Sequence, residues 1–463
     1  MAAQSTASAQ PRLLRQLGFF SAIALVISNM VGTGIFATTG FMAGDLGSPG
    51  LILACWTVGA LFALAGALSY SELGVNFPSS GGEYVYLTHA YGPTWGFMTG
   101  WVSFFAGFSA PIAAAALAFA DYLGYFFPWA KQSAATVVIG SGPLTFKLGG
   151  GQLVASGLIA VFTILNCFGV GRVAKVQNFL TGTKLAVITG FVVIGFAAGS
   201  GNWGHFSESA VRTSTLSLPA QFIISLVWVM VGYSGWNAAT YVAEEVRNPE
   251  RTLPAALAVG TAIVATLYLG LNMVFIYSTP LEKMKGVIAV GSLSASNLFG
   301  PGVAGLFAAL MALSITSTVN AMVTIGPRVY YAMAKNRAFF PAAASVNARW
   351  HTPVVAILSQ GACSILMTLT PFPDLVIYIG MSLTFFTVIS VGSLFVFRRR
   401  ANWQRLKAVD FAWPAIPLAY VLVGACMMGY GIIWQTKASL TAMGTVAAGA
   451  LVYHFMLRNR SET

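Results

Sequence analysis

Apolar runs long enough to cross a bilayer recur along this chain with almost no charge inside them, and that pattern leaves few folds open. A helix of about 20 apolar residues spans the roughly 30 Å hydrocarbon core, and roughly twelve such stretches can be marked. They are Leu17–Phe41, Leu51–Ser71, Gly96–Tyr122, Leu153–Phe168, Phe179–Ala198, Ala220–Tyr241, Ala255–Ile276, Val303–Met333, Val354–Leu369, Leu375–Phe397, Ile416–Trp434 and Leu440–Met456. Only 8% of the residues are charged and 57% are hydrophobic; soluble domains carry roughly a quarter charged residues. The chain reads as an all-α membrane protein, and no soluble domain fits in what remains.

The formal net charge of +12 invites a nucleic-acid reading, but its distribution argues otherwise. With both termini in the cytoplasm, the inner loops and tails hold Arg12, Arg15, Arg172, Lys175, Arg247, Arg251, Lys335, Arg337, Arg349, Arg398, Arg399, Arg400, Arg405, Lys407, Arg458 and Arg460. The outer loops hold Lys131, Lys147, Arg212, Lys283, Lys285 and Lys437. That bias is what the positive-inside rule expects of a chain with an even number of spans, so the charge is a topology signal and implies no nucleic-acid partner. Residues 1–16 and 458–463 read as cytoplasmic tails. The first apolar run has no small-residue cleavage site, which rejects a removed signal peptide.

Cys55, Cys167, Cys363 and Cys426 fall inside predicted spans and form no CxxC pair. A disulfide framework and a zinc site are therefore unsupported. His89, His205, His351 and His454 are scattered, so no metal or other cofactor is called for. With no nucleophile–base constellation either, the chain does not read as an enzyme.

Two apolar runs are interrupted by glycines at matching places. Leu17–Phe41 breaks at Val31-Gly32-Thr33-Gly34, and Ala220–Tyr241 breaks at Gly232-Tyr233-Ser234-Gly235. Four complete spans lie between them, so each break opens one half of a duplicated five-helix unit, residues 17–200 and 217–397, with two further helices in residues 412–457. Unwinding a helix in lipid is costly unless the freed backbone groups line a polar cavity. Paired breaks in corresponding halves are the sequence mark of a transporter's binding site. At the first, Gly32 and Gly34 leave the amides of Thr33, Gly34 and Ile35 open at a helix N-terminus, which favours an anion such as a carboxylate. The preceding half-helix ends near Ser28–Met30, where unpaired carbonyls favour a cation such as an ammonium. Helix packing is the competing reading of small residues in a membrane helix.

Around the second break, the carbonyls of Met230, Val231 and Gly232 are candidate acceptors for the same ammonium. Ser234 and Asn237 lie beside them, and Asn237 suits polar groups nearby. Trp228, Tyr233 and Trp236 are candidate gating aromatics; packing is the alternative role for each. Lys184 is placed inside the fifth span, and a lysine at that depth is a functional-site hypothesis by default. Its ammonium can bridge carbonyls freed by the first break and hydroxyls of the eighth span, Ser314 or Ser317, where a coupling sodium would otherwise sit. Snorkelling to the inner interface is the alternative. Arg328 can pair with Glu244 or Glu245 as an inner gate, against the alternative of solvated interfacial charge. Ser79-Ser80-Gly81-Gly82-Glu83 reads as a turn starting a short amphipathic helix, Tyr84–Tyr91, on the inner surface, and Phe339–Arg349 as a second such segment. The third span has no acid from Gly96 to Ala120, which favours neutral substrates.

These motifs carry a family resemblance over nearly the whole chain. Val31-Gly32-Thr33-Gly34-Ile35-Phe36, Val176-Gln177-Asn178-Phe179 leading to Lys184-Leu185-Ala186, Gly235-Trp236-Asn237 through Glu244-Glu245-Val246-Arg247-Asn248-Pro249-Glu250-Arg251-Thr252-Leu253-Pro254, and Arg328-Val329-Tyr330-Tyr331-Ala332-Met333-Ala334 resemble the amino acid–polyamine–organocation superfamily, and within it bacterial relatives of the L-type amino acid transporters. The resemblance implies a LeuT-type fold of two inverted five-helix repeats, discontinuous first and sixth helices, two C-terminal helices, and sodium-independent amino acid transport. It maps the carboxylate site to Thr33 and Gly34, the ammonium site to Met30 and Val231, the fifth-helix lysine to Lys184 and a pocket asparagine to Asn237. Two departures stand out. Val231 occupies a position where the L-type group often has an aromatic gate, which shifts occlusion to a residue such as Trp228. No cysteine lies between Tyr122 and Leu153, so no disulfide-linked ancillary glycoprotein is expected.

The expectation is an exchanger of neutral L-amino acids working by alternating access in the plasma membrane, its only partners the amino acid and membrane lipid. A cationic amino acid or polyamine permease and proton-coupled uptake are the alternatives within transport. A channel and a non-transporting amino acid sensor are the readings from other classes.

Overall fold

The computed structural model describes residues 13–32, 34–134, 137–139, 146–287, 289–370, 372–434 and 436–457, so Thr33 lies outside the described residues. Helix dominates because a backbone in hydrocarbon must satisfy its own hydrogen bonds. Among the described residues, eight helices are long and apolar enough to cross a membrane: Pro49–Asn76, Pro93–Leu123, Val173–Ala198, Leu218–Glu245, Pro249–Ser278, Pro301–Lys335, Tyr378–Phe397 and Ala415–Trp434. Shorter apolar helices are Phe19–Met30, Gly150–Asn166, Val354–Met367 and Ser439–Phe455. Among the described residues the strands are confined to an antiparallel ribbon, Val137–Ile139 with Phe146–Leu148, in the loop before Gly150.

Several boundaries differ from the hydropathy pattern for identifiable reasons. The lysine-bearing helix starts at Val170 rather than near Phe179. Its first turns carry Lys175, Gln177 and Asn178, which hide a helix from a hydropathy reading, and Lys184 consequently sits about four turns inside it. The segment Glu83–Tyr91 is helical but is not a surface helix, since Glu83 through Leu87 are buried. Phe339–Arg349 supplies only a short 3-10 turn, Pro341–Ala344. Within Pro93–Leu123, residues Ser103–Ser109 form a π-helical stretch. Pro111 has no N–H to return to the carbonyl of Gly107, so the ladder slips register there.

The first broken segment ends one helix at Met30 and starts the next at Gly34. The second break falls later than the glycine pattern suggests. Helix Leu218–Tyr233 runs straight through Gly232 and Tyr233, turns at Ser234–Asn237, and resumes as the 3-10 segment Ala238–Glu245. The two broken segments touch at their breaks. A Cβ on Gly34 would lie 2.6 Å from the Gly232 Cα, so the chains meet at a distance only glycine allows. Gly235 makes the turn itself, with φ of 100°.

At one end of the molecule the segments are also tied together. Leu17 N–H donates to the Glu245 carbonyl at 2.9 Å, and Arg247 N–H donates to the Leu17 carbonyl at 2.8 Å. A second tie is made by the buried Glu72 carboxylate, which accepts from Arg398 Nε at 2.7 Å and Nη2 at 2.6 Å, from Trp403 Nε1 at 2.7 Å and from the Leu406 amide at 3.1 Å.

Candidate functional site

A helix that stops in the membrane leaves carbonyls without partners, and at the first break side chains from distant helices supply them. Lys184 is fully buried, and its Nζ donates to the Val31 carbonyl at 2.6 Å, to Thr318 Oγ1 at 2.8 Å and to the Ser28 carbonyl at 3.3 Å. The hydroxyl it reaches is therefore that of Thr318, not Ser314 or Ser317. Ser317 Oγ instead pairs with Ser28 Oγ at 2.7 Å and accepts from Gln177 Nε2 at 3.0 Å, while Ser314 is buried and is not among the groups that accept from Lys184. Thr318 passes its own proton to the Val31 carbonyl at 2.6 Å. Tyr268 Oη sits between the breaks, 2.7 Å from the Met30 carbonyl and 3.0 Å from that of Gly232. Two of the expected ammonium acceptors are thus already joined by one phenol.

At the second break, the Val231 carbonyl accepts from the Ser234 amide at 3.2 Å and from Ser234 Oγ at 2.8 Å. This closes the helix end locally, so a ligand ammonium would have to share that oxygen. Ile35 is fully buried in the wall of its helix, which leaves its contribution to the backbone amide.

Two adjoining cavities lie here. One borders the breaks, walled by Met30, Gly32, Gly34, Val231, Ser234 and Thr318. The other extends past the second break and is lined by Phe108, Met230, Trp236, Asn237, Tyr241 and Thr384. Asn29, Val231 and Ser234 line both. Neither is lined by an acidic or basic side chain among the described residues. Asn29 Oδ1 is buried with no hydrogen-bond partner among the described residues, an acceptor beside the breaks. Behind the second cavity stands Glu83, which sequence reading took for a surface turn. Its carboxylate is buried and accepts from Tyr70 Oη at 2.6 Å, Asn237 Nδ2 at 3.0 Å and Tyr241 Oη at 2.8 Å. Asn29, Tyr268 and Thr318 were missed as site residues, and Glu83, which lines neither cavity, was missed as the acid behind the wall. For Glu83 alone there was a signal, an acid directly after Gly81-Gly82 at the edge of an apolar run.

The gating aromatics separate into different roles. Trp228 stacks on Phe41, centroids 5.6 Å apart, and lines neither of the two cavities. Tyr233 is fully buried, donates to the Trp56 carbonyl at 3.2 Å and packs against Trp56 and Tyr268, so it covers no ligand cavity. Trp236 does line the cavity, held edge-on by Tyr70 and Tyr420. At the end where Leu17 meets Glu245, Arg328 and Glu245 form a buried ion pair, Nε to Oε1 2.7 Å and Nη2 to Oε2 3.4 Å. Arg328 Nη1 also donates to the Thr324 carbonyl at 2.6 Å. Glu244 is not part of this pair; it faces Lys335 at 3.6 Å near the surface.

A multi-pass helical membrane protein with two broken helices meeting at a central cavity is the architecture of a solute permease. Residues 17–451 match the family model described as "Amino acid permease", and the chain belongs to that family, within the amino acid–polyamine–organocation superfamily of transporters rather than enzymes. It is 27% identical over 459 residues to the serine/threonine exchanger SteT of Bacillus subtilis (strain 168), covering 97% of this chain and 98% of the relative. It is 24% identical over 446 residues to the human large neutral amino acids transporter small subunit 2, covering 95% of this chain and 80% of the relative. With the human cystine/glutamate transporter it shares 29% identity over 351 residues, 75% of this chain and 66% of the relative. Amino acid transport is therefore the activity of the group.

Proposed function

We propose that this permease exchanges neutral L-amino acids across the plasma membrane by alternating access, without sodium. The observation that carries the reading is the Lys184 ammonium on the Val31 and Ser28 carbonyls and Thr318 Oγ1. Those oxygens are the kind a sodium ion would need, and a fixed internal cation already holds them. The substrate carboxylate would sit at the N-terminus of helix Gly34–Leu46, with Thr33 and Gly34, where open amides and the helix dipole favour an anion. Its ammonium would sit toward Asn29, Met30 and Val231, and its side chain in the second cavity. Neutrality is supported by the lack of any charged lining residue among those described; Glu83 has its oxygens engaged behind the wall.

The wider architecture proposed is twelve spans in the LeuT arrangement, residues 17–200 and 217–397 as inverted repeats and 412–457 as two added helices, with both termini cytoplasmic. The basic residues of the Leu17–Glu245 end support that orientation. The names of the bacterial serine/threonine relative and the human neutral amino acid relative support the substrate class. With no cysteine in the loop after the third span, the chain is proposed to work without a disulfide-linked partner. Uptake into proteoliposomes tests the whole reading. Exchange should persist without a sodium gradient and require internal amino acid. Strict sodium dependence would remove the Lys184 argument, and uptake into empty vesicles would remove obligatory exchange. Competition by arginine or putrescine would favour the cationic alternative.

A further inference from the structure

A carboxamide can meet its surroundings with either its oxygen or its nitrogen, and which one a site presents decides what the site accepts. In Asn237 that choice is made from behind. Glu83 accepts from each of the three groups around it, the Tyr70 and Tyr241 hydroxyls and Asn237 Nδ2, and Nδ2 lies 3.0 Å from Glu83 Oε1, so the amide nitrogen is the end that faces it. Nδ2 also lies 3.0 Å from Tyr241 Oη, whose own proton goes to Glu83 Oε2 at 2.8 Å. Tyr70 Oη completes the cage at 2.6 Å. Both donors of the Asn237 amide are therefore used. Its Oδ1 receives no donor from any described residue and keeps some exposure, and Asn237 lines the second cavity.

The backbone that delivers Glu83 is built for this approach. Gly81 and Gly82 have φ of 118° and 50°, and a Cβ on Gly82 would lie 2.7 Å from the Tyr241 ring. Gly81 N–H reaches the Tyr241 carbonyl at 3.3 Å, docking the turn on the segment that bears Asn237. Asn237 lines the second cavity and not the one against the breaks, so its oxygen meets the substrate's side chain rather than its α-groups.

The geometry points to Glu83 as a positioning residue that turns the Asn237 oxygen toward the substrate side chain and so selects amino acids whose side chain donates a hydrogen bond, a hydroxyl above all. This rests on the neutral amino acid reading and narrows it. An acceptor-only or apolar side chain of the same shape leaves the oxygen unpaired, which a dry wall penalises. Glu83 itself touches no substrate.

Competition for exchange in proteoliposomes tests the wild-type protein first. Threonine should compete better than isosteric valine by about tenfold, the worth of one hydrogen bond of ordinary strength. O-methylserine, which keeps the oxygen but loses the donor, should compete no better than isosteric norvaline. Equal competition by threonine and valine, or O-methylserine matching serine, overturns the proposal while leaving neutral amino acid transport intact. Failure of every neutral amino acid to compete overturns both readings. Glu83→Gln lets the Asn237 amide turn over, because a carboxamide at 83 can donate to its oxygen. The threonine-to-valine ratio should fall to about twofold through a raised KM for threonine, with the KM for valine and both maximal rates kept. Glu83→Asp should restore the ratio. An unchanged ratio in Glu83→Gln overturns the proposal, as does an equal loss of maximal rate for both substrates.

Discussion

Replacing Lys184 with methionine removes the internal cation while keeping the length and most of the volume of the side chain. Three acceptors lose a donor: the Val31 carbonyl at 2.6 Å, Thr318 Oγ1 at 2.8 Å and the Ser28 carbonyl at 3.3 Å. Val31 keeps the Thr318 hydroxyl at 2.6 Å, so its loss is partial. Hydrogen bonds from a charged donor contribute about 1.5–3 kcal/mol each. Two good bonds and one long one give roughly 4–6 kcal/mol of gross interaction by that rule, and relief of the buried charge offsets about half. Only the part that differs between conformations can bias a transport cycle. If the first half-helix leaves Lys184 when the inner end opens, about 2–3 kcal/mol separates the states, a shift of roughly 30–150-fold. Lys184→Met should therefore still fold and still bind amino acid in a thermal-shift titration, yet lose at least about 30-fold in exchange rate by counterflow in proteoliposomes. Exchange within about twofold of wild type would refute the reasoning, because a difference of that size is worth under about 0.5 kcal/mol.

Gly34→Ala puts a methyl 2.6 Å from the Gly232 Cα, backbone against backbone, so the two breaks must part. The KM for substrate should rise by tenfold or more, given that displacements of about 1 Å at a positioned site cost on the order of a hundredfold; an unchanged KM would show that the breaks do not form the site. Glu245→Gln leaves the buried Arg328 guanidinium without its counter-ion and should destabilise closure of the Leu17–Glu245 end by about 3–5 kcal/mol, read as faster thiol labelling of a cysteine placed at Leu25. Glu244→Gln should leave that labelling rate alone, because its partner Lys335 is largely exposed and such pairs contribute about 0–1 kcal/mol. Trp228→Ala unstacks Phe41 and should speed access from the opposite end without moving the labelling rate at Leu25.

The parts of this protein that were legible in its sequence are those where lipid imposes a cost on departures from a rule. Apolar runs became helices, and the first glycine pair marks a true interruption between Met30 and Gly34. Lys184 stood out because a buried cation in a span needs partners. The second break was misplaced by two residues because glycine serves two purposes there. Gly232 lets the Gly34 backbone approach, whereas Gly235 makes the turn, with a missing Cβ that would lie 2.4 Å from Asn29 Nδ2. Local pattern cannot separate those uses. Nor does a helical pattern fix rotation about the helix axis, which is why Thr318 rather than Ser314 or Ser317 meets the lysine. Tyr268 and Glu83 act across the fold, on partners many residues away, and the sequence around each carries little or no trace of that partner.

The two ends of the permease are closed by interactions of different kinds, and this bears on how a proposed cycle would run. The end holding Leu17, Glu245 and Arg328 is shut by backbone bonds and a buried ion pair. The opposite end carries the Phe41–Trp228 stack and loop contacts such as Gly44 with Thr213. An ion pair out of water is costly to break singly and tolerates little intermediate geometry, whereas an aromatic stack yields gradually. Between the breaks and the ion pair runs a continuous polar seam. Ser28 Oγ meets Ser317 Oγ, which accepts from Gln177; Asn320 Nδ2 donates to Gln177 Oε1 at 2.6 Å; Thr324 Oγ1 donates to the Asn320 carbonyl at 2.8 Å; and Arg328 donates to the Thr324 carbonyl. Adjacency alone does not make such a seam a route of coupling. It does mean that the half-helix Phe19–Met30 cannot swing away from Lys184 without disturbing hydrogen-bonded neighbours that reach Arg328. In the proposed cycle, opening the Leu17–Glu245 end would break the lysine contacts and the ion pair together, and a substrate that reorders the first break would bear on both.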